Sequence, residues 1–331
     1  MKLRYPVCNN NFYNFQTHKT MSNIVKLSLT LALLALFSCS KKEGAVDHRY
    51  RIDNIVAEEN HYQDTLLFAS IPTYLEEDWQ WDGNELYRID YLGDHAYSEN
   101  FFLDNRNRIT QTTIPAYNIM TVFHYDGRKL DRIDIYNRNE LYSDMRFVHN
   151  DKRLDEIVCN YYMADTSNPA LVKICDPIAS LFKNKVGTIH AMESTKSIEK
   201  LMKANAKQTV CVHYSLTWDD DNVTAINCSG PDGTYAITLT YDDKRNPYSQ
   251  LFGYREITDP IYGFEMLSEN NILTITMPYK DINNQLFTYT YQYDGKYPSR
   301  RTLTYSYPSI NATFDSVTYK YERTETFNYL Q

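Results

Sequence analysis

From about position 59 to the end, apolar residues recur at every second position in short runs, and each run stops at an Asp or Asn. Phe287, Tyr289, Tyr291 and Tyr293 alternate with Thr288, Thr290 and Gln292. A period of two places the aromatics on one face and the polar residues on the other, which predicts a half-buried β-strand. An Asp-Gly, Asp-Asn or Asn-Asp step follows, and these residues supply what a tight turn needs. The carboxylate accepts backbone N–H groups, and Gly or Asn tolerates positive φ. A Leu or Ile a few residues on opens the return strand.

The unit repeats. Trp81-Asp-Gly-Asn-Glu-Leu-Tyr-Arg-Ile89 is followed by Leu103-Asp-Asn-Arg-Asn-Arg-Ile109, Tyr125-Asp-Gly-Arg-Lys-Leu-Asp-Arg-Ile133 and His149-Asn-Asp-Lys-Arg-Leu154. Further copies begin at Trp218, Tyr241 and Tyr293. The turn residues Asp82, Asp104, Asp126 and Asn150 are 22, 22 and 24 residues apart, and Asp219 precedes Asp242 by 23. Asp242 to Asp294 is 52, room for one degenerate unit around Leu267–Leu273. A single hairpin is barely stable in water, so the units must lie edge to edge. The expected fold is all-β, an antiparallel meander of repeated hairpins forming an extended or curled sheet over 59–331.

Residues of about 160–210 interrupt the pattern. Asp176-Pro177 has the form of a helix cap with proline in the first turn, and Ile178, Leu181 and Phe182 share a face beyond it. A second helix is predicted from about Thr195 to Ala206, with Ile198, Leu201 and Met202 as its apolar stripe. The expectation is a short helical insertion that plugs the end of the sheet. Cys159 and Cys211 flank it on strands expected to be neighbours. With Cys175 and Cys228 they allow three pairings, of which a Cys159–Cys211 bridge closing the insertion is preferred.

The N-terminal region carries a different signal. Leu27–Phe37 is an apolar run behind Lys26, too short to span a bilayer, and it has the form of a secretory signal peptide over 21–38. Leu36-Phe37-Ser38-Cys39 resembles a bacterial lipobox, in which the Cys thiol takes diacylglycerol and becomes the new N-terminus. Residues 1–20 lack any such pattern, and initiation at Met21 accounts for them. Residues 39–58 are expected to form a tether, and several acyl chains on Cys39 would hold the protein at a membrane.

Charge narrows the partners. The full chain has a formal net charge of −8. Positions 1–38 contain Lys2, Arg4, Lys19 and Lys26 and no acidic residue, so the remainder has 30 basic against 42 acidic residues, a net of −12. That sign repels phosphate backbones and excludes nucleic acid as a natural partner. No nucleophile elbow, Walker loop, dinucleotide fingerprint or HExxH occurs, so no cofactor or metal is implied. Thirty tyrosines fit strands whose rings pack while their tips stay polar. A lipid-facing barrel would need continuous apolar strands of about 9–11 residues, whereas these strands are expected to be shorter and carry Thr, Arg and Asp on the turns.

The aromatic-Asp hairpins resemble YD-repeat (Rhs-like) units, and Tyr241-Asp-Asp-Lys-Arg-Asn-Pro-Tyr248 is similar to a motif of Bacteroidetes lipoproteins with a domain of unknown function. That resemblance implies a repeat sheet in the outer envelope, attached to the outer membrane by lipid, and supplies no functional residue. Two functions are then in play. One is a non-enzymatic lipoprotein whose sheet is a binding or structural surface for an envelope protein or glycan. The other is an envelope glycan hydrolase or glycan-binding protein with a site formed by loops or the insertion. Trp79, Trp81 and Trp218 are the candidates for stacking on sugar rings, although packing of the meander by alternating aromatics is the favoured reading.

Overall fold

The computed structural model describes residues 51–92, 96–150, 153–162, 210–230, 233–249, 263–279, 282–310 and 316–330. The signal peptide, Cys39 and the insertion expected at about 160–210 lie outside the described residues, except for the short flanks of the insertion. Sixteen strands are present among them. The first eight are β1 (Ile52–Gln63), β2 (Leu66–Asp82), β3 (Glu85–Tyr91), β4 (Tyr97–Leu103), β5 (Ile109–Ile114), β6 (Ile119–Asp126), β7 (Lys129–Asn137) and β8 (Glu140–His149). The others are β9 (Leu154–Tyr161), β10 (Val210–Asp219), β11 (Asn222–Gly230), β12 (Gly233–Arg245), β13 (Asn270–Tyr279), β14 (Ile282–Asp294), β15 (Tyr297–Ile310) and β16 (Ser316–Tyr329).

Every strand pairs antiparallel with its neighbours in sequence, as a meander requires, but the sheet is not open. β1 pairs β16 from Ile52↔Tyr329 to Gln63↔Tyr319 and closes the sixteen strands into a barrel. The tether expected over 39–58 also ends earlier, because β1 begins at Ile52. Ile52, Ile55 and Ala57 all face inward and are 0–1% exposed, which fixes this segment in the wall.

A sixteen-stranded barrel has room for an aqueous channel. This lumen is filled. Buried residues from all sixteen strands form one apolar cluster, with Ile89, Ile133, Ile157, Ile226, Ile275 and Phe287 fully covered. The alternation read from the sequence sets the direction. Phe287 and Tyr289 point in, whereas Thr290 and Gln292 point out and are exposed. On β16 the outward row is Thr318, Lys320, Glu322, Thr324, Thr326 and Asn328, without an apolar member.

The 52-residue gap between Asp242 and Asp294 has a different origin from a degenerate hairpin. After β12 the chain turns into the lumen. Asn246–Ser249 and Phe264–Ser268 are buried there, the latter as a 3-10 turn over Gly263–Leu267. Asn246 Nδ2 donates to the carbonyls of Glu265 (2.6 Å) and Ser268 (3.2 Å), which ties the two pieces together. Tyr248 packs on Trp79 of β2 and Phe327 of β16, and Phe264 packs on Tyr214 of β10. This plug brings remote walls into one core.

Candidate functional site

The seven predicted turn residues come to one end of the barrel, six of them at connections from an even-numbered to an odd-numbered strand and Asp242 near the end of β12. Asp82, Asp126, Asp219 and Asp294 each end a strand, opposite Glu85, Lys129, Asn222 and Tyr297, around two-residue turns. Gly127 has φ +60°, a value an L side chain adopts at a cost of about 1–2 kcal/mol. Asp104 Oδ1 accepts the backbone N–H groups of Arg106 (2.8 Å) and Arg108 (3.0 Å), and Asn150 Oδ1 accepts that of Arg153 (2.9 Å). Asp242 differs: it lies within β12, not in a turn. Its Oδ1 accepts the N–H groups of Lys244 (2.9 Å) and Asn271 (3.1 Å), and its Oδ2 accepts the Tyr293 hydroxyl. It therefore anchors the two ends of the plug.

An aromatic residue one to three positions ahead of six of these seven residues, all but Asp104, has an equally specific task. Register shifts beside the turns free a backbone carbonyl on the adjoining strand, and an inward-facing ring of the next unit caps it. Trp81 Nε1 donates to Ile52 O (2.8 Å), the Tyr125 hydroxyl to Ile109 O (2.7 Å), and Trp218 Nε1 to Leu154 O (2.8 Å). Tyr241 caps Val223 O (2.6 Å), Tyr291 caps Ile272 O (2.8 Å) and His149 Nε2 meets Leu130 O (2.7 Å). At three of these positions an Arg next to the capped carbonyl also lies over the ring: Arg51 on Trp81, Arg108 on Tyr125 and Arg153 on Trp218. The repeat is a device for locking one hairpin to the next.

That device leaves none of the three candidate tryptophans as a platform for sugar rings. Trp79 is 2% exposed, inside the barrel, with its indole N–H on Glu77 Oε2 (3.0 Å). Trp81 and Trp218 face inward and spend their N–H groups on backbone, with guanidiniums over their rings. All three serve the packing of the core.

The chemistry that sequence reasoning missed is charged and sits in two places. The first is inside. Arg323 on β16 pairs with Glu59 (2.8 Å), Glu76 and Glu325 (3.3 Å). Arg301 on β15 pairs with Glu265 of the plug and with Glu325, whose Oε2 accepts its Nε at 2.7 Å. Both guanidiniums are nearly buried and have their pKa raised: burial opposes the charge, but the surrounding carboxylates more than offset it. Burial likewise pushes the Tyr289 and Tyr321 hydroxyls well above their ordinary value, against the pull of the same guanidiniums. Glu59, Glu76, Glu265 and Glu325 are thus held as counter-ions rather than as free acids or bases. Alternation could have found them. Glu59, Arg301, Arg323 and Glu325 each fall in the inward row of their strand.

The second is on the outer wall of β6–β10. Asp134 and Asp144 stand directly opposite each other on β7 and β8 and are only 5% and 3% exposed. Like charges so placed repel, and each is neutralised separately. Asp134 takes Arg132 (3.0 Å) and His124 Nε2 (2.8 Å); Asp144 takes Arg146 (3.5 Å), Asn160 Nδ2 (2.9 Å) and the Tyr162 hydroxyl. The hydrogen bond to Asp144 and burial push the Tyr162 pKa up to about 12.

The same wall carries Cys211. The expected Cys159–Cys211 bridge is not formed, and both residues remain thiols. Their strands are neighbours as predicted, but Cys159 lies opposite Val212, so it points into the core while Cys211 points out. Being one residue out of register places the sulfurs on opposite faces of the sheet. Cys211 Sγ instead lies 3.3 Å from His213 Nε2, and His213 Nδ1 lies 2.6 Å from Glu156 Oε1 on β9.

No protein-family model matches the chain, and no curated protein matches it. Among solved structures it is similar to a porin-like protein from Bacteroides uniformis, at 10% identity and a TM-score of 0.47, over 84% of this chain and 98% of that one.

Proposed function

We propose that the chain is an exported lipoprotein of the bacterial outer envelope, held by acyl chains on Cys39, whose barrel is a rigid non-enzymatic binding or structural surface. The observation that carries this reading is the polarity of the wall. Apolar and aromatic side chains fill the inside, and the outward rows are rich in Thr, Gln, Asn, Lys and Glu. A lipid-embedded barrel needs the reverse, an apolar band about 25 Å tall around a polar lumen. The exposed apolar residues, such as Leu286, Phe102 and Val148, are scattered among polar ones on their strands, apart from Leu66–Phe68 at one strand end. Anchorage therefore falls to the lipid on Cys39, and the wall is free to meet a protein or a glycan through polar side chains. The resemblance to YD-repeat lipoproteins agrees with this placement. The carboxylates of both charged clusters are occupied by arginines, which argues for recognition rather than hydrolysis.

Detergent phase partitioning of the wild-type protein and Cys39→Ala tests the reading. Wild type should enter the detergent phase and Cys39→Ala the aqueous phase. A Cys39→Ala protein that stays with detergent would overturn the proposal, because the wall itself would then be binding lipid.

A further inference from the structure

The outer wall holds a nucleophile, a base and a carboxylate in sequence, and none of them takes part in the core or the hairpin caps. Cys211 and His213 are two residues apart on β10 and so share its outer face. Glu156 projects from β9, where its partner across the ladder is Ser215, one outward position beyond His213. In the neutral imidazole the 2.6 Å contact is made by Nδ1–H donating to Glu156 Oε1. That tautomer leaves Nε2 as an acceptor, and Nε2 faces the Cys211 thiol at 3.3 Å. An acid-oriented imidazole beside a thiol is the arrangement that activates a sulfur nucleophile.

We propose that Cys211 is a base-assisted nucleophilic thiol that exchanges with small disulfides and becomes S-thiolated. In the step, the Cys211 sulfur attacks one sulfur of the disulfide as its proton passes to His213 Nε2. The old S–S bond breaks, the new one forms, and the departing thiolate takes the proton back from the imidazolium. One disulfide is consumed and one formed, and one thiol is consumed and one released, so no outside oxidant enters. The geometry favours this reaction over acyl transfer. An acyl substrate needs donors placed around a developing oxyanion, whereas exchange leaves its charge on sulfur and needs only thiol and base.

The surroundings assign the base its role. Among the described residues, the charged groups that face the thiol are Glu156 from β9 and Asp144 and Arg146 from β8, with Tyr162 bonded to Asp144. The described part of β11 brings Asn227 and Ser229 opposite this part of β10. Burial raises the thiol pKa first, Asp144 and Glu156 raise it further, and Arg146 partly offsets them. Cys211 without its base would therefore be a sluggish thiol at neutral pH, since the thiolate is the reactive form. Proton removal by His213 is the route that remains.

The test is the rate of thiol–disulfide exchange with 4,4′-dithiodipyridine, a neutral probe, on the purified protein between pH 5.5 and 9. A Cys175→Ser background removes the thiol of the insertion, and peptide mapping identifies the labelled residue. Cys159 and Cys228 are buried and should stay unlabelled in the folded protein. The parent protein should already react readily at pH 7, with label on Cys211. Adding His213→Ala should slow the reaction at pH 7 by about 10- to 100-fold, at the lower end of general-base effects. It should also shift the profile to the alkaline rise of an unassisted thiol. Glu156→Gln should give an intermediate rate. His213 is half exposed, so its replacement leaves the fold intact, which circular dichroism verifies. A His213→Ala rate equal to that of the parent, a parent profile that rises only at alkaline pH, or label on Cys159 or Cys228 in place of Cys211 would each overturn the proposal.

Discussion

Replacing Arg323 by Met tests how the charged interior is held. Arg323 is 4% exposed and meets Glu59, Glu76 and Glu325, of which Glu325 keeps a second cation in Arg301. Met fills most of the side-chain volume, so the change removes the charge more than the packing. Glu59 and Glu76 then lose the guanidinium that both meet, and breaking such a pair from one side costs about 3–5 kcal/mol. Against a typical total stability of about 5–15 kcal/mol the loss is large. At a urea slope of about 3 kcal/mol/M it lowers the midpoint by about 1–1.7 M. The surface pair Lys320–Glu322 (3.3 Å) is the control, and Lys320→Met should cost under about 1 kcal/mol. Urea unfolding followed by tryptophan fluorescence at pH 7.5 reads the effect. A loss below about 1 kcal/mol would refute the reasoning.

The hairpin caps and turns give two further tests. Tyr125→Phe removes the hydroxyl from Ile109 O and should cost about 1–2 kcal/mol in urea unfolding; Tyr87→Phe, at an exposed hydroxyl bonded to Gln80, should change stability by less than about 0.5 kcal/mol. In Asp104, burial disfavours the charge, but hydrogen bonds from the Arg108 side chain and from the backbone of Arg108 and Arg106 outweigh it and hold the carboxyl below its ordinary 3.8. Its stabilisation is complete above that value and is lost as pH falls through the depressed native one. Thermal unfolding should therefore place Asp104→Asn well below wild type at about pH 6, with the gap closing below about pH 3.8.

Much of this architecture is legible in the sequence because its signals are local. Alternation in Phe287–Tyr293 gives the strand and its inward face. Asp-Gly steps at 82, 126 and 294 give turns, and the 22-residue period gives a two-strand unit. What escapes is non-local. Nothing near Ile52 or Tyr329 announces that they pair, so an open meander and a closed barrel share one sequence pattern. Asn270-Asn271 has the composition of a turn, although β13 begins there, and the plug before it reads as a worn hairpin. Trp79, Trp81 and Trp218 invite a surface reading because exposure depends on which face closure turns inward. Alternation puts Arg323 and Glu59 in inward rows, but their pairing escapes, because the two are 264 positions apart and meet only across the seam.

Closure of that seam supports every other inference, and it can be measured directly. Asn54 and Asn328 are partners across β1 and β16, with Asn328 Nδ2 2.6 Å from Asn54 Oδ1 on the outer face. Directly opposed residues of antiparallel strands have the Cα separation a disulfide needs, about 4.5–5.5 Å. In a Cys175→Ser, Cys211→Ser background, Asn54→Cys with Asn328→Cys should form an intramolecular bridge under mild oxidation, identified by peptide mapping. Two accessible thiols that label freely yet never join within one molecule would show that the sheet is open.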